Sequence, residues 1–350
     1  MKKINTETEL RKIIKSYPKM LDKRIQDGLD ELTSEYLQHA RLAVLSILDP
    51  KVSYSFFDLT ANHEHSQLKV IDRQRIALDS NKLTDLNKEN LNKEHRKIKA
   101  SLFFFIPGIH HAVRLNGSLH INTSTKQINT AEFIICQAYF HCGRAAIRSN
   151  LWKEQTQSVA NTLESFCQLS SYALLTTEDA QLNTQLSPRG DKQGLLKLFK
   201  DQNDQIKLFM PERPGNKIAI SLRNILENPT ISLIAFIPNS TQVLKLSGQA
   251  YVTDDPELLA LGNIEEEIKG KTIIRKPKVG IVIDIDNYDI SYEPALEASE
   301  IWQQQHQISE TDITAFSKAL STHISGEGLL GKLTHKVVDH VVEADKKSLY

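Results

Sequence analysis

The sequence predicts a mainly β protein in which two tandem copies of one small barrel domain are framed by helices. The main observation is an internal repeat. Ser101-Leu102-Phe103-Phe104-Phe105-Ile106-Pro107, then Ala112-Val113-Arg114-Leu115-Asn116-Gly117, returns as Ser232-Leu233-Ile234-Ala235-Phe236-Ile237-Pro238, then Val243-Leu244-Lys245-Leu246-Ser247-Gly248. Pro107 to Pro238 and Gly117 to Gly248 are both 131 residues apart. The endings agree as well: Phe133 to Ala138 and a helix closing on Leu151-Trp152 match Val279 to Ile285 and a helix closing on Ile301-Trp302. A length of 350 residues fits about two domains.

Taken in order, residues 1–39 read as N-terminal helices. Thr6 can cap with Glu9 three residues on, Leu10, Ile13 and Ile14 recur on one face, and Pro18 divides the stretch into two helices. Residues 40–152 form the first barrel, opening with the β-rich runs Leu42 to Leu48, Val52 to Phe57 and Leu68 to Ile71. Within it, Asn81 to Lys99 is rich in Lys, Asn and Glu and reads as a solvated helix or loop. Residues 153–302 form the second barrel. Residues 303–350 form a helical extension with apolar stripes at Ile313, Phe316, Leu320 and at Leu333, Val337, Val338, Val341, which reads as a packed hairpin.

Forty-three basic residues balance forty-three acidic ones, so no global field recruits nucleic acid or an anionic membrane, and a small-molecule partner is expected. Cys136, Cys142 and Cys167 are odd in number and lack metal-ligand spacing, which points away from a disulfide scaffold and a zinc site and toward the cytoplasm. No stretch has the apolar core of a signal peptide or of a bilayer span.

The candidate site lies in the second half. Ser187-Pro188-Arg189-Gly190-Asp191 and Arg213-Pro214-Gly215-Asn216-Lys217 read as two polar loops at neighbouring ends of a strand pair, with a helix starting near Ser221. Arginine and lysine beside glycines that expose backbone N–H groups, with a helix N-terminus close behind, suit a phosphate. The copies have diverged in a complementary way. The first offers only Phe57-Asp58-Leu59-Thr60 in place of Ser187 to Asp191, but it alone has Phe140-His141-Cys142-Gly143-Arg144 through Arg148. At helical spacing His141, Arg144 and Arg148 share a cationic face, where the second copy has the acidic Glu293 and Glu297. This pattern predicts one composite site, built from both copies, and a mirror-related site deprived of both sets.

These motifs resemble the pyridoxamine 5'-phosphate oxidase-like FMN-binding split-barrel superfamily, in its branch with Ser-Pro-Arg-Gly-Asp, Arg-Pro-Gly-Asn and a Ser-Leu-Arg-Asn-Ile helix. Here those are Ser187 to Asp191, Arg213 to Asn216 and Ser221 to Ile225, with Glu9-Leu10-Arg11 and Phe140 to Trp152 matching the branch's two ends. The resemblance implies two antiparallel split barrels forming an intramolecular pseudo-dimer, with further self-association open. It also implies FMN between the barrels, its phosphate held by Arg189 and the Arg213 to Lys217 loop, and Ser221 near where relatives place a cation. The oxidase's arginine- and lysine-bearing strand and its C-terminal flavin contacts are not recognisable. Oxidation of pyridoxamine phosphate itself is therefore not expected.

The cofactor-binding set is then Ser187, Arg189, Gly190, Asp191, Arg213, Gly215, Asn216, Lys217, Ser221, Arg144 and Arg148. His141 and Asp191 are the catalytic candidates. Asp191 has three readings: an ion pair with Arg189, orientation of a substrate, or a bond to a ribityl hydroxyl. His110 and His111 point to opposite faces if they lie on a strand, which leaves metal or haem binding disfavoured. Adjacent Cys142 and His141 diverge too far on a helix to act as thiolate and base. The leading function is an FMN-dependent oxidoreductase using a small-molecule substrate and NADH or NADPH. A non-catalytic flavin-binding or sequestering protein and a haem-binding or haem-degrading split barrel are the alternatives.

Overall fold

The computed structural model describes residues 2–48, 52–60, 66–83, 97–121, 130–268, 271–326, 328, 334–340 and 349. It is mainly β, with two seven-stranded antiparallel sheets. The first contains β1 (Leu42–Ile47), β2 (Ser53–Asp58), β3 (Leu68–Asp72), β4 (Arg75–Asp79), β5 (Ile98–Phe105), β6 (Ala112–Ile121) and β7 (Thr130–His141), in the spatial order 2-1-5-6-7-4-3. The second contains β8 (Tyr172–Glu178), β9 (Thr184–Gly190), β10 (Lys197–Lys200), β11 (Ile206–Pro211), β12 (Thr230–Phe236), β13 (Gln242–Thr253) and, later, β16 (Gly280–Tyr292), in the order 10-11-16-13-12-8-9. Read end to end, these are one order used twice. The second copy adds a separate hairpin, β14 (Ile264–Ile268) and β15 (Lys271–Arg275), between its last two strands.

The register shows how close the copies are. A β-bulge falls between Asn116 and Gly117 in β6, and another between Ser247 and Gly248 in β13. At both bulges only glycine fits, because a Cβ on Gly117 would stand 2.0 Å from the Ile134 carbonyl oxygen and one on Gly248 2.0 Å from that of Asp284.

The helices pack as the sequence pattern requires, on sheets that need a covered face. Helix α1 (Glu7–Ile13) is capped by Thr6, whose hydroxyl accepts from Glu9 N at 3.2 Å, and it buries Leu10 in the core of the second sheet. A 3-10 helix, Lys19–Arg24, follows, and α2 (Glu31–Gln38) buries Tyr36 in the core of the first sheet. Short α3 (Arg144–Arg148) ends the first copy, and α4 (Leu163–Leu169) opens the second, in which α5 (Ile220–Glu227) lies between β11 and β12 and α6 (Pro256–Leu261) between β13 and β14. Helix α7 (Pro294–Ala298) repeats the place of α3, and α8 (Phe316–Ser325) belongs to the C-terminal extension, with residues 334–340 helical beyond it. Most of Asn81 to Lys99 (residues 84–96), together with Leu333 and Val341, lies outside the described residues. No helix among the described residues is long and apolar enough to cross a membrane.

A third core joins the two sheets. Leu42, Val44, Phe56 and Phe105 of the first pack against Tyr172, Leu174, Ile234 and Phe236 of the second. Residues at corresponding places meet there. Phe105 contacts Phe236 with ring centroids 5.6 Å apart, and Trp152 contacts Trp302 at 5.8 Å. Each tryptophan donates its indole N–H to a corresponding carbonyl, Ile109 at 2.8 Å and Ser240 at 2.9 Å. Both tryptophans belong to this shared core and to neither sheet's own core.

Candidate functional site

A polar cavity of about 110 Å³ lies on this seam. The first copy contributes Arg114, His141, Arg144 and Arg148 to its wall, and the second contributes Ser187, Arg189, Arg213, Gly215, Asn216 and Ser221. Arg24, from the 3-10 helix, completes a set of six arginines, and Glu212 is the one carboxylate among the described lining residues.

The two halves interlock through backbone. Arg148 Nε donates to the Gly190 carbonyl at 2.9 Å, and Arg144 Nη1 donates to that of Pro214 at 2.9 Å. Gly190 is required because a Cβ there would stand 2.0 Å from the Ala145 carbonyl oxygen of α3. Arg148 Nη1 also donates to the Leu349 carbonyl at 3.2 Å, which brings the C-terminal stretch to the same place.

Several expectations about individual residues need correction. Ser187 to Gly190 is not a loop but the end of edge strand β9, because Tyr172 to Leu175 on β8 pair with it in register. By that register it stands level with Ser55 to Asp58, two residues earlier than the sequence comparison placed it. Asp191 pairs with Arg213 Nε at 2.5 Å rather than with Arg189, and both side chains are about 95% buried. Arg213 Nη2 donates to the Gly262 carbonyl at 2.7 Å, so this arginine braces the two segments. Asp191 sits behind that brace and is not among the residues lining the cavity. Arg189 takes Glu212 instead, at 2.7 Å. Lys217 faces a neighbouring cavity rather than this one. His141 is the last residue of β7 and not part of the α3 face. His110 and His111 lie in the turn before β6, where the His111 ring stacks on Phe316 at 3.9 Å, so the opposite-faces argument does not apply to them.

Arg114 and Arg24 belong to the site and were missed by the sequence reading. Arg114 is 1% exposed, donating to the Leu186 carbonyl (2.7 Å), Ser187 Oγ (2.9 Å) and Gln185 Oε1 (2.8 Å), all neutral acceptors. Its Nε has no hydrogen-bond partner among the described residues. Burial, and then the cations Arg24 and Arg189, pull its pKa well below the usual arginine range. Burial first, and then Arg114, Arg24 and Arg189, likewise push His141 well below the ordinary histidine value, so its ring is neutral at pH 7.

The segment entering α5 is unusual. Lys217 has φ +64 and Ala219, the N-cap, has φ +57, both left-handed without glycine. Ala219 has no side chain to cap the helix, and residues 218–221 line the cavity, so the first N–H groups of α5 are available to an anion there.

Beside this pocket is a second cavity of about 580 Å³ that shares Arg24, Phe140, Cys142, Arg144, Gly215, Asn216 and Ile218 with it. Among the described residues no three His, Cys, Asp or Glu side chains are grouped to hold a metal ion.

No protein-family model and no curated protein matches the chain. Among solved structures it is similar to HupZ of Group A Streptococcus, at 15% identity over 38% of this chain and 100% of that one, with a TM-score of 0.26. It is similar to an F420 reductase at 17% identity, over 37% of this chain and 98% of that one, with a TM-score of 0.24. HutZ, the haem storage protein of Vibrio cholerae, is similar at 13% identity, over 38% of this chain and 95% of that one, with a TM-score of 0.23.

Proposed function

We propose that the chain is an FMN-dependent oxidoreductase of the split-barrel type, folded as an intramolecular pseudo-dimer with its cofactor at the seam. The observation that carries this reading is Arg114. A guanidinium taken wholly out of water and given only neutral acceptors is costly unless an anion completes its surroundings. Arg189, Arg148 and Arg144 converge on the same space, together with the uncapped start of α5, and that combination suits a phosphate dianion.

The residues fit FMN beyond its phosphate. The arginine pocket is too small for the whole cofactor but adjoins the larger, mostly carbon-walled cavity, whose volume falls in the range of about 300–1,000 Å³ usual for cofactor and substrate sites. Phosphate would meet Arg114, Arg189 and Arg148, and the ring would lie toward Phe140, Cys142 and Ile218. FMN would supply hydride and single-electron transfer. His141, neutral and with Nδ1 unpartnered among the described residues, offers the ligand a hydrogen-bonding or proton-holding group rather than a charge.

Protein purified without added flavin should show flavin absorption bands, release FMN on denaturation, and be reduced by NADH or NADPH with turnover to an acceptor. Bound flavin that never turns over would remove the oxidoreductase part and leave a flavin-holding protein. A Soret band with no flavin would overturn the proposal in favour of haem.

A further inference from the structure

The two copies differ at one sheet edge. In the first, the outer side of β7 beyond its pairing with β4 is covered by the chain itself: Ala138 N donates to the Gln26 carbonyl at 2.8 Å, Gln26 N donates to that of Ala138 at 2.9 Å, and Ala138 is fully buried. In the second copy Tyr288 holds that position, since Leu246 pairs with Tyr288 as its repeat partner Leu115 pairs with Ala138. No described backbone pairs with Tyr288 on that side. The pairing of β11 with β16 ends at Lys207 and Asp284, and Tyr288 is 49% exposed, with Asp286, Asn287 and Asp289 exposed beside it. The route of the connecting chain explains the difference. Gln26 precedes α2, whereas the stretch before α4, the counterpart of α2, is held at the β12–β13 turn: Asn239 Nδ2 donates to the Gln155 carbonyl at 2.6 Å, and Gln242 Oε1 accepts from Ala160 N at 2.8 Å.

Beside the open edge is a groove of about 650 Å³ between β16, β10 and the start of α4. Leu163, Leu198 and Ile206 give it a carbon wall, and Glu164, Asp286 and Lys200 are its charges. Lys200 is bound to Asp204 at 2.8 Å, while neither Glu164 nor Asp286 has an ion-pair partner among the described residues. We infer that this edge binds an extended, basic segment of a partner protein, which adds antiparallel to β16 as Gln26 adds to β7. Its lysines or arginines lie toward Glu164 and Asp286, and an apolar side chain lies against Leu198 and Ile206. In such strand addition the main-chain hydrogen bonds supply affinity and the flanking side chains supply selectivity. Open edges are commonly blunted by lysine or proline, and residues 286–292 contain neither. Their protection is acidic instead. A second copy of this chain would bring the Asp286 and Asp289 of its own β16 against the acids already there, whereas a basic strand answers them.

The test uses the full-length protein and a fluorescein-labelled, capped peptide of alternating lysine and valine, read by anisotropy, with a peptide of alternating glutamate and valine as its opposite. The lysine peptide should bind about tenfold or more tighter than the glutamate peptide, and more weakly as salt rises. Its binding should slow exchange of the Tyr288 amide hydrogen by about tenfold or more. Tyr288→Pro removes the donor at the open edge without breaking a bond to β13, because the equivalent Ala138 directs both of its backbone groups outward. This variant should weaken the lysine peptide by about tenfold or more, with thermal unfolding little changed. Asp286→Lys gives an independent reading if proline unfolds the strand: affinity for the lysine peptide should fall about threefold or more, and affinity for the glutamate peptide should rise. Equal affinity for the two peptides, no protection at Tyr288, or lysine-peptide binding indifferent to both substitutions would overturn the inference. So would a concentration-dependent dimer that Tyr288→Pro dissolves, which would assign the edge to a second copy. None of these readouts involves FMN, and the groove shares no lining residue with the arginine pocket.

Discussion

Ser46 Oγ and Thr176 Oγ1 share a hydrogen bond of 2.7 Å across the seam, and the two residues occupy the same position in their respective sheets. Ser46 stands opposite Ser101 as Thr176 stands opposite Ser232, and Ser101 and Ser232 are themselves repeat partners. Tyr54 adds a one-sided contact, its hydroxyl lying 2.9 Å from Thr176 Oγ1 and 2.8 Å from Ser232 Oγ. This small polar network is wholly buried in an apolar seam, where directional bonds fix the relative placement of two faces that hydrophobic contact alone would let slide. The seam in turn sets the distance between Arg114 and Arg189, which come from different sheets.

Arg114→Met should separate ligand binding from stability. The substitution removes a desolvated charge but takes one donor from each of three acceptors, of which Gln185 Oε1 keeps Asn116 Nδ2 and the Tyr139 hydroxyl, and the two effects oppose each other. Ligand-free protein should therefore lose no more than about 1–2 kcal/mol, while FMN affinity falls roughly ten- to a hundred-fold. Thermal unfolding with and without FMN measures both. Unchanged FMN affinity would remove Arg114 from the phosphate site.

Gly190→Ala should disrupt the composite site without touching a charged group. Its new methyl would stand 2.0 Å from the Ala145 carbonyl oxygen, which is backbone and cannot rotate away, so β9 and α3 must separate. Overpacking of this kind costs about 1–3 kcal/mol. The Arg148 to Gly190 hydrogen bond should break with it, lowering FMN affinity even at temperatures where the variant is folded. Isothermal titration on the folded variant checks this, and wild-type affinity would show that α3 is dispensable to the site.

Much of this was legible in the sequence, and the remainder failed for identifiable reasons. The repeat was readable because strand cores and glycine bulges are local constraints: Gly117 and Gly248 each answer a carbonyl 2.0 Å away. The Arg144 to Arg148 segment and the Arg189 and Arg213 segments were grouped from their complementary loss, and in the structure all of them line one cavity. Which carboxylate pairs with which arginine was not, since Asp191 and Glu212 exchange partners only through the packing of β9 against the segment after β11. Arg114 carried a signal that went unused, a cation inside an apolar strand with Lys245 at the same place in the repeat. The apolar stripe of α8 was recognised, but periodicity does not reveal whether a stripe meets a core or borders a cavity.

Acid should loosen the wall that α8 provides. Asp30 caps α2 through Thr33 N at 2.8 Å and meets His323 Nε2 of α8 at 2.7 Å. Burial alone would raise its pKa, but the hydrogen bonds from His323 and Thr33 outweigh it and bring the value down to about 2 from 3.8. A folded-state pKa below the unfolded one stabilises the protein above the unfolded value, and that contribution is lost as pH falls from about 4 toward 2. For a side chain 32% exposed it amounts to about 1–2 kcal/mol after solvent screening. Urea midpoints measured from pH 5 to pH 2 should show this loss in the wild type and a shallower one in Asp30→Asn. Identical slopes would remove Asp30 from the acid response.

Titration should find one FMN per chain. Under the register of the two sheets, one of the four positions that correspond to these arginines keeps a cation: Lys245 corresponds to Arg114, but Phe57 stands where Arg189 does, Pro294 where Arg144 does and Ala298 where Arg148 does. That lone lysine is already answered by Glu293 at 3.6 Å, with its ammonium 5.5 Å over the Phe56 ring. Burial raises the pKa of Glu293 against the opposing pull of Lys245, which marks a carboxylate held in a poorly hydrated place rather than a site prepared for an anion. A phosphate entering there would compete with Glu293 for Lys245, whereas in the composite pocket it meets Arg114, Arg144 and Arg148 as well as Arg189, which it shares with Glu212. Even at one charge-assisted hydrogen bond per missing arginine, about 1.5–3 kcal/mol each, the difference in affinity exceeds a thousandfold. Isothermal titration should therefore give a stoichiometry near one, and Lys245→Met should leave it unchanged. A second equivalent of comparable affinity, abolished by Lys245→Met, would show that both sides of the seam bind.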